Sequence, residues 1–99
     1  MEWTHEQKSA VWSNAKTVGT NDPNVFRQDE CAAWIKWLEY GNRDSEYGWE
    51  IDHIIPSSRG GADSISNLRP LQWKNNASKS DGRLVCAVRA DGGKNIPIR

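Results

Sequence analysis

No apolar run in this chain approaches membrane-spanning length, which excludes a transmembrane helix. There is no proline- or serine-rich linker, no internal repeat and no low-complexity tract, so the 99 residues are expected to form a single domain, 1–99. The first residues, Met1-Glu2-Trp3-Thr4-His5-Glu6, lack the basic stretch and apolar core of a signal peptide, and a cytoplasmic location is the expectation by default. The only cysteines are Cys31 and Cys86, with no Cys-x-x-Cys spacing, which rules out a four-sulfur zinc site. A disulfide between them is geometrically possible, but in a reducing cytosol two reduced, mostly buried thiols are expected. Net charge is also absent, with 13 Lys and Arg against 13 Asp and Glu.

That zero hides an asymmetry. Residues 1–49 carry five basic against eight acidic side chains, and residues 50–99 carry eight against five. A positive second half suits a polyanionic partner, although three charges alone fit an ordinary solvated face equally well. What the chain has in abundance is tryptophan, six residues in all, expected chiefly as core filling with at most one exposed for binding.

Thr4-His5-Glu6-Gln7 fits a capping box, and Val11, Trp12, Ala15 and Val18 continue it as a helical stripe, so a helix is predicted over 5–18 with Gly19 as its stop. Cys31, Trp34, Ile35 and Leu38 fit the i, i+3, i+4, i+7 template and predict a second helix over 28–40, although tryptophan and isoleucine also suit a strand. From Trp49 the period becomes two: a strand through His53, ended by Pro56, then a polar loop over 57–66. A second strand is expected over Leu68–Leu71, with Pro70 marking an edge. Gln72–Asp81 reads as a helix stopped by Gly82. Leu84–Val88 and Lys94–Ile98 read as a hairpin around Ala90-Asp91-Gly92-Gly93.

The chemistry is concentrated in Trp49–Asp81. Asp52 and His53 are adjacent at a strand end, where neighbours point to opposite faces unless the chain bends, and Ile54-Ile55-Pro56 is a plausible break. Asn76 lies on the following helix with Lys79 and Ser80 at i+3 and i+4, and that helix can cross the hairpin to bring Asn76 close to Asp52. The stretches are Glu50-Ile51-Asp52-His53-Ile54-Ile55-Pro56, Gly60-Gly61-x-Asp63, Asn67-Leu68 and Asn75-Asn76-x-x-Lys79-Ser80-Asp81. Fourteen residues separate His53 from Asn67 and nine separate Asn67 from Asn76.

Order and spacing together resemble the HNH nuclease motif, in the version with Asp before the first His and Asn at the last position. That version resembles the HNH domain of RNA-guided CRISPR nucleases and of phage resolvases that cut branched DNA. Residues 29–49 are similar, more loosely, to small stand-alone bacterial and phage HNH proteins. The resemblance implies an α+β fold: a ββα-metal core with an N-terminal helical segment and a C-terminal β-hairpin. It implies Asp52 and Asn76 as ligands of one divalent cation, His53 as general base, Asn67 as the brace that keeps His53 aimed, and Lys79 as a charge near the phosphate. Asn75 takes the ligand position instead if the helix phase slips by one.

Hydrolysis of a phosphodiester needs an activated water and counter-charge for the crowded oxyanion and the departing oxygen. Imidazole suits the first task and a cation the second. Oxygen ligands favour Mg²⁺ or Mn²⁺ over Zn²⁺. The expected activity is metal-dependent DNA endonuclease cleavage, acting on double-stranded or branched DNA, nicking one strand per event with low sequence specificity. The expected state is a monomer, a dimer being the alternative, with no membrane partner. The competing reading is a catalytically silent nucleic-acid-binding module of the same fold. Arg59, Arg69, Lys74 and Arg83 either touch phosphates or keep the surface soluble. His5, outside any motif, is expected to be a solvated helix residue.

Overall fold

A computed structural model describes residues 2–80 and 82–98. The elements in chain order are α1 (His5–Trp12), β1 (Phe26–Gln28), β2 (Trp34–Lys36), β3 (Trp49–His53), β4 (Leu68–Gln72), α2 (Trp73–Ala77), β5 (Val88–Asp91) and β6 (Lys94–Pro97). Short 3₁₀ turns occupy Trp37–Glu39, Ser57–Arg59 and Ile65–Asn67. The strands form three antiparallel two-stranded sheets, β1–β2, β3–β4 and β5–β6. The fold is α+β.

The capping box forms: Thr4 Oγ1 accepts from Gln7 N and Gln7 Oε1 accepts from Thr4 N. The helix it starts ends at Trp12, six residues before the predicted limit. Ser13 Oγ donates back to the Ser9 carbonyl, and the Asn14 amide donates to the carbonyls of Ile65 and Leu68. Those bonds draw the chain across the protein, and Lys16 then pairs with Gln28 in extended form. Gly19, at φ +53°, serves a later turn.

The helix predicted over 28–40 is absent. Its residues form β1, β2 and a 3₁₀ turn, because Asp29 Oδ1 accepts from the backbone N–H of both Cys31 and Ala33 and folds the chain back on itself. Ala32 completes this turn at φ +60°. Ile35 keeps its inward place, but Leu38 is 81% exposed.

The core gathers Val11 and Trp12 of α1, Ile35, Trp49 and Leu68. Trp12, Trp37 and Trp49 contact one another with ring centroids 5.2–5.8 Å apart. None of the six tryptophans is exposed. Indole N–H groups meet backbone carbonyls, as Trp12 does with Pro23 (2.9 Å) and Trp73 with Ser45 (2.9 Å).

β3 and β4 pair over five residues, with Asp52 opposite Arg69 and His53 opposite Leu68. Both strands of a two-stranded sheet are edges, which accommodates Pro70, opposite Ile51. Helix α2 follows directly. Gln72 Oε1 caps it by accepting from Lys74 and Asn75 N–H, and the helix ends at Ala77 rather than reaching Asp81, which lies outside the described residues. Ser78 Oγ bonds the Asn75 and Val85 carbonyls, turning the chain early.

The strand expected over Leu84–Val88 begins only at Val88. Asn75 Oδ1 accepts from the N–H of Ala87 and Val88, so this stretch is tied to α2 before the β5–β6 ladder starts. The two-residue turn is Gly92-Gly93. The cysteines are not free thiols: Cys31 and Cys86 form a disulfide, and the tight Asp29–Ala33 turn and the tied 84–87 segment bring them together.

Candidate active site

The alternation of β3 divides its side chains between two environments. Trp49 and Ile51 pack in the aromatic core, with the His53 ring 5.8 Å from Trp3. Glu50 and Asp52 face the other way and meet side chains from β4, α2 and the segment after it.

Asp52 is 6% exposed and both carboxylate oxygens are engaged. Arg69 Nε donates to Oδ2 at 2.8 Å and Lys79 Nζ to Oδ1 at 2.5 Å. Arg69 is pinned from behind by Glu30, 3.0 Å from its Nη1, so charges alternate along Glu30–Arg69–Asp52–Lys79. The Lys79 ammonium also donates to the His53 carbonyl at 3.2 Å. Lys79 lies beyond the end of α2 and so reaches Asp52 from a non-helical segment.

Asn76 donates from Nδ2 to Glu50 Oε1 at 2.8 Å. Since a carboxylate only accepts, this fixes which end of the amide faces Glu50. Asn76 Oδ1 accepts no hydrogen bond among the described residues. Glu50 is itself clasped by Arg43, at 2.7 and 2.9 Å, and this pairing holds its carboxyl below the ordinary glutamate value. Asn75 is fully buried and committed to Asp29, Ala87 and Val88. Of the two neighbouring asparagines, Asn76 is therefore the one on the Glu50 and Asp52 side.

His53 turns to a different partner. Its Nε2 lies 2.7 Å from Asp63 Oδ1, in the loop between β3 and β4. The carboxylate accepts, so Nε2 is the donor in this bond. Asn67 spans that loop: its Oδ1 accepts from Ile55 N, and its Nδ2 donates to the carbonyls of Ile55 and Ala62. Gly61 allows the loop to close, because a Cβ there would sit 1.7 Å from the Ile55 carbonyl oxygen.

Hydrogen bonds thus join Asp52 to Lys79 and Asn76 to Glu50, while His53 and Asn67 belong to the loop end of the hairpin. The sequence assigns no role to Glu50 or Asp63, and Arg69, expected to touch phosphate or keep the surface soluble, is instead buried between Glu30 and Asp52. The register of β3 against β4 was the available signal for Arg69, opposite Asp52. Asp63, in an irregular loop ten residues from His53, had none beyond its place in the motif.

Residues 39–82 match the family model described as HNH endonuclease, somewhat under half of the chain. Through this segment the chain is similar to the HNH endonuclease family. No curated protein and no solved structure matches the chain. That similarity points to nuclease activity and a nucleic-acid substrate in general terms. The HNH segment spans every candidate residue, from Glu50 to Lys79. Among the described residues no helix is long and apolar enough to cross a membrane. Among them, too, no group of three or more His, Cys, Asp and Glu side chains forms a metal cluster. Asp52 Oδ1 already holds a cationic group, and Asn76 Oδ1 is without a donor among the described residues. Those donors fit a hard divalent ion.

Proposed function

We propose that this protein is a metal-dependent DNA endonuclease with a ββα-metal core formed by β3, β4 and α2, acting as a monomer that nicks one strand per encounter with low sequence specificity. The observation that carries this reading is the juxtaposition of Asp52, Glu50, Asn76 and Lys79 beside β3, within a hairpin–helix unit of the HNH family. Asp52 and Asn76 hold one Mg²⁺ or Mn²⁺. When bound, the ion supplies positive charge to the scissile phosphate and the departing 3′ oxygen.

The remaining work falls to the protein's own groups. His53 takes a proton from the attacking water on Nδ1, while Asp63 holds the ring by its Nε2–H and stabilises the imidazolium that forms. Asn67 keeps the 54–62 loop in shape, and with it the aim of His53. Glu50 holds the Asn76 amide so that its carbonyl stays available. Lys79 supplies a charge to the phosphate. The products carry 5′-phosphate and 3′-hydroxyl ends.

One observation favours the silent binding module: both oxygens of Asp52 are engaged by cationic side chains. Supercoiled-plasmid cleavage with Mg²⁺, Mn²⁺, Zn²⁺ or EDTA, with His53→Ala alongside, separates the two. Nicking that requires Mg²⁺ or Mn²⁺ and disappears in the variant is expected. DNA binding that survives EDTA, with no cleavage in any metal, would favour the module.

A further inference from the structure

The two cations on Asp52 are held very differently. Arg69 projects from β4, its side chain is 9% exposed, and a second carboxylate, Glu30, grips its guanidinium. Lys79 sits past the last turn of α2, at the end of a flexible stem, with Asp52 as its one acidic partner among the described residues. Its ammonium lies between two oxygen atoms, the Asp52 carboxylate and the His53 carbonyl. An all-oxygen surrounding of this kind also suits a small hard cation.

We infer that Lys79 is an exchangeable cation that holds the divalent ion's place on Asp52, while Arg69 is the permanent partner that keeps the carboxylate oriented. This rests on the ligand assignment proposed above and adds a property of Lys79 to it. A single carboxylate cannot keep two monovalent cations and accept a divalent one, because the like charges would then stand within a few ångströms of each other. The group with one acidic partner and a flexible stem is the one that leaves. Once displaced, the ammonium needs a new anion, and a phosphodiester beside the site provides one. Metal and nucleic acid then help each other to bind, since each stabilises the arrangement the other requires. Free of DNA, the protein holds metal weakly.

The test is Mn²⁺ binding to the DNA-free protein, measured by electron paramagnetic resonance and by calorimetry, for the parent, Lys79→Met, Lys79→Arg and Asp52→Asn. Thermal unfolding of each variant checks that it is folded. Lys79→Met keeps the stem and removes the charge, so Mn²⁺ should bind roughly ten- to a hundredfold more tightly than to the parent. Lys79→Arg, which restores a competing cation, should return to the weak parental affinity. Unchanged or weaker Mn²⁺ binding in folded Lys79→Met overturns the exchange while leaving the ligand assignment standing. Mn²⁺ binding that survives Asp52→Asn overturns the ligand assignment itself, and the exchange with it.

Discussion

Two buried or half-buried polar networks lie a few residues apart along the same hairpin and helix, and each is centred on an aspartate. Around Asp29 the donors are all neutral: the N–H groups of Cys31, Ala33 and Gln72 and the Asn75 side chain. Around Asp52 the donors are Arg69 and Lys79. The first network holds loops, strand and helix in place. The second is built from long charged side chains, Arg69 gripped by two carboxylates and Lys79 by one. Asn75, on α2, belongs to the first, while its neighbour Asn76 bonds Glu50, which lies on the same face of β3 as Asp52. Side chains that position the backbone and side chains free to do chemistry are thus separated by a single residue of helix.

The largest effects should separate the two networks by the kind of damage done. Asp52→Asn is expected to lower plasmid nicking by roughly a thousandfold or more. A nicking rate within a few-fold of the parent would remove Asp52 from the site. Asn75→Ala should do the reverse in kind, costing about 3 kcal/mol in denaturant unfolding because Asp29 and two backbone N–H groups lose a buried partner. Asn76→Ala, in contrast, should cost under about 1 kcal/mol and weaken Mn²⁺ binding. Equal destabilisation by the two alanines would erase the distinction.

Gly61→Ala forces a Cβ onto the Ile55 carbonyl, with an expected loss of about 1–3 kcal/mol. Because the loop it opens is the one Asn67 braces, nicking should fall further than global stability does. The smallest effect is in acid. Pairing with Arg43 lowers the Glu50 carboxyl, so its contribution to stability is complete above the ordinary value of 4.5 and is lost as pH falls through the lowered folded value. Burial pushes Asp29 above its ordinary value of 3.8 against the pull of its hydrogen bonds, which gives the opposite slope, with stability lost as pH rises through that window. Unfolding midpoints between pH 3 and 6 should shift in one direction for Arg43→Gln and in the other for Asp29→Asn. Shifts of the same sign would contradict the contrast.

Local chemistry was legible in the sequence wherever it decided the structure. The capping box at Thr4, the alternation from Trp49 to His53 and the turn at Gly92-Gly93 all form where the residues point to them. The helix predicted over 28–40 failed because a valid helical period was overridden by one side chain: Asp29, bonding Cys31 and Ala33, makes a turn that hydrophobic spacing does not register. α1 and α2 both end early because serine and asparagine side chains find carbonyls elsewhere, a tertiary effect invisible along the chain. The resemblance to the HNH motif singled out Asp52, His53, Asn67, Asn76 and Lys79 as candidates, but not who holds them. Arg69 and Asp63 become partners only once the hairpin register and the loop path are known, as do Glu30 behind Arg69 and Arg43 behind Glu50.

The Cys31–Cys86 bond closes a covalent ring, its ends 55 positions apart in sequence, that encircles the whole HNH segment. A protease that cuts the exposed stretch at 57–60 would break the backbone without releasing a fragment. The two pieces would migrate as one until a reductant parted them. Cleavage outside the ring, between Val18 and Val25 for example, would shed the amino-terminal helix at once. Gel mobility with and without reductant therefore shows on which side of the ring a cut was made.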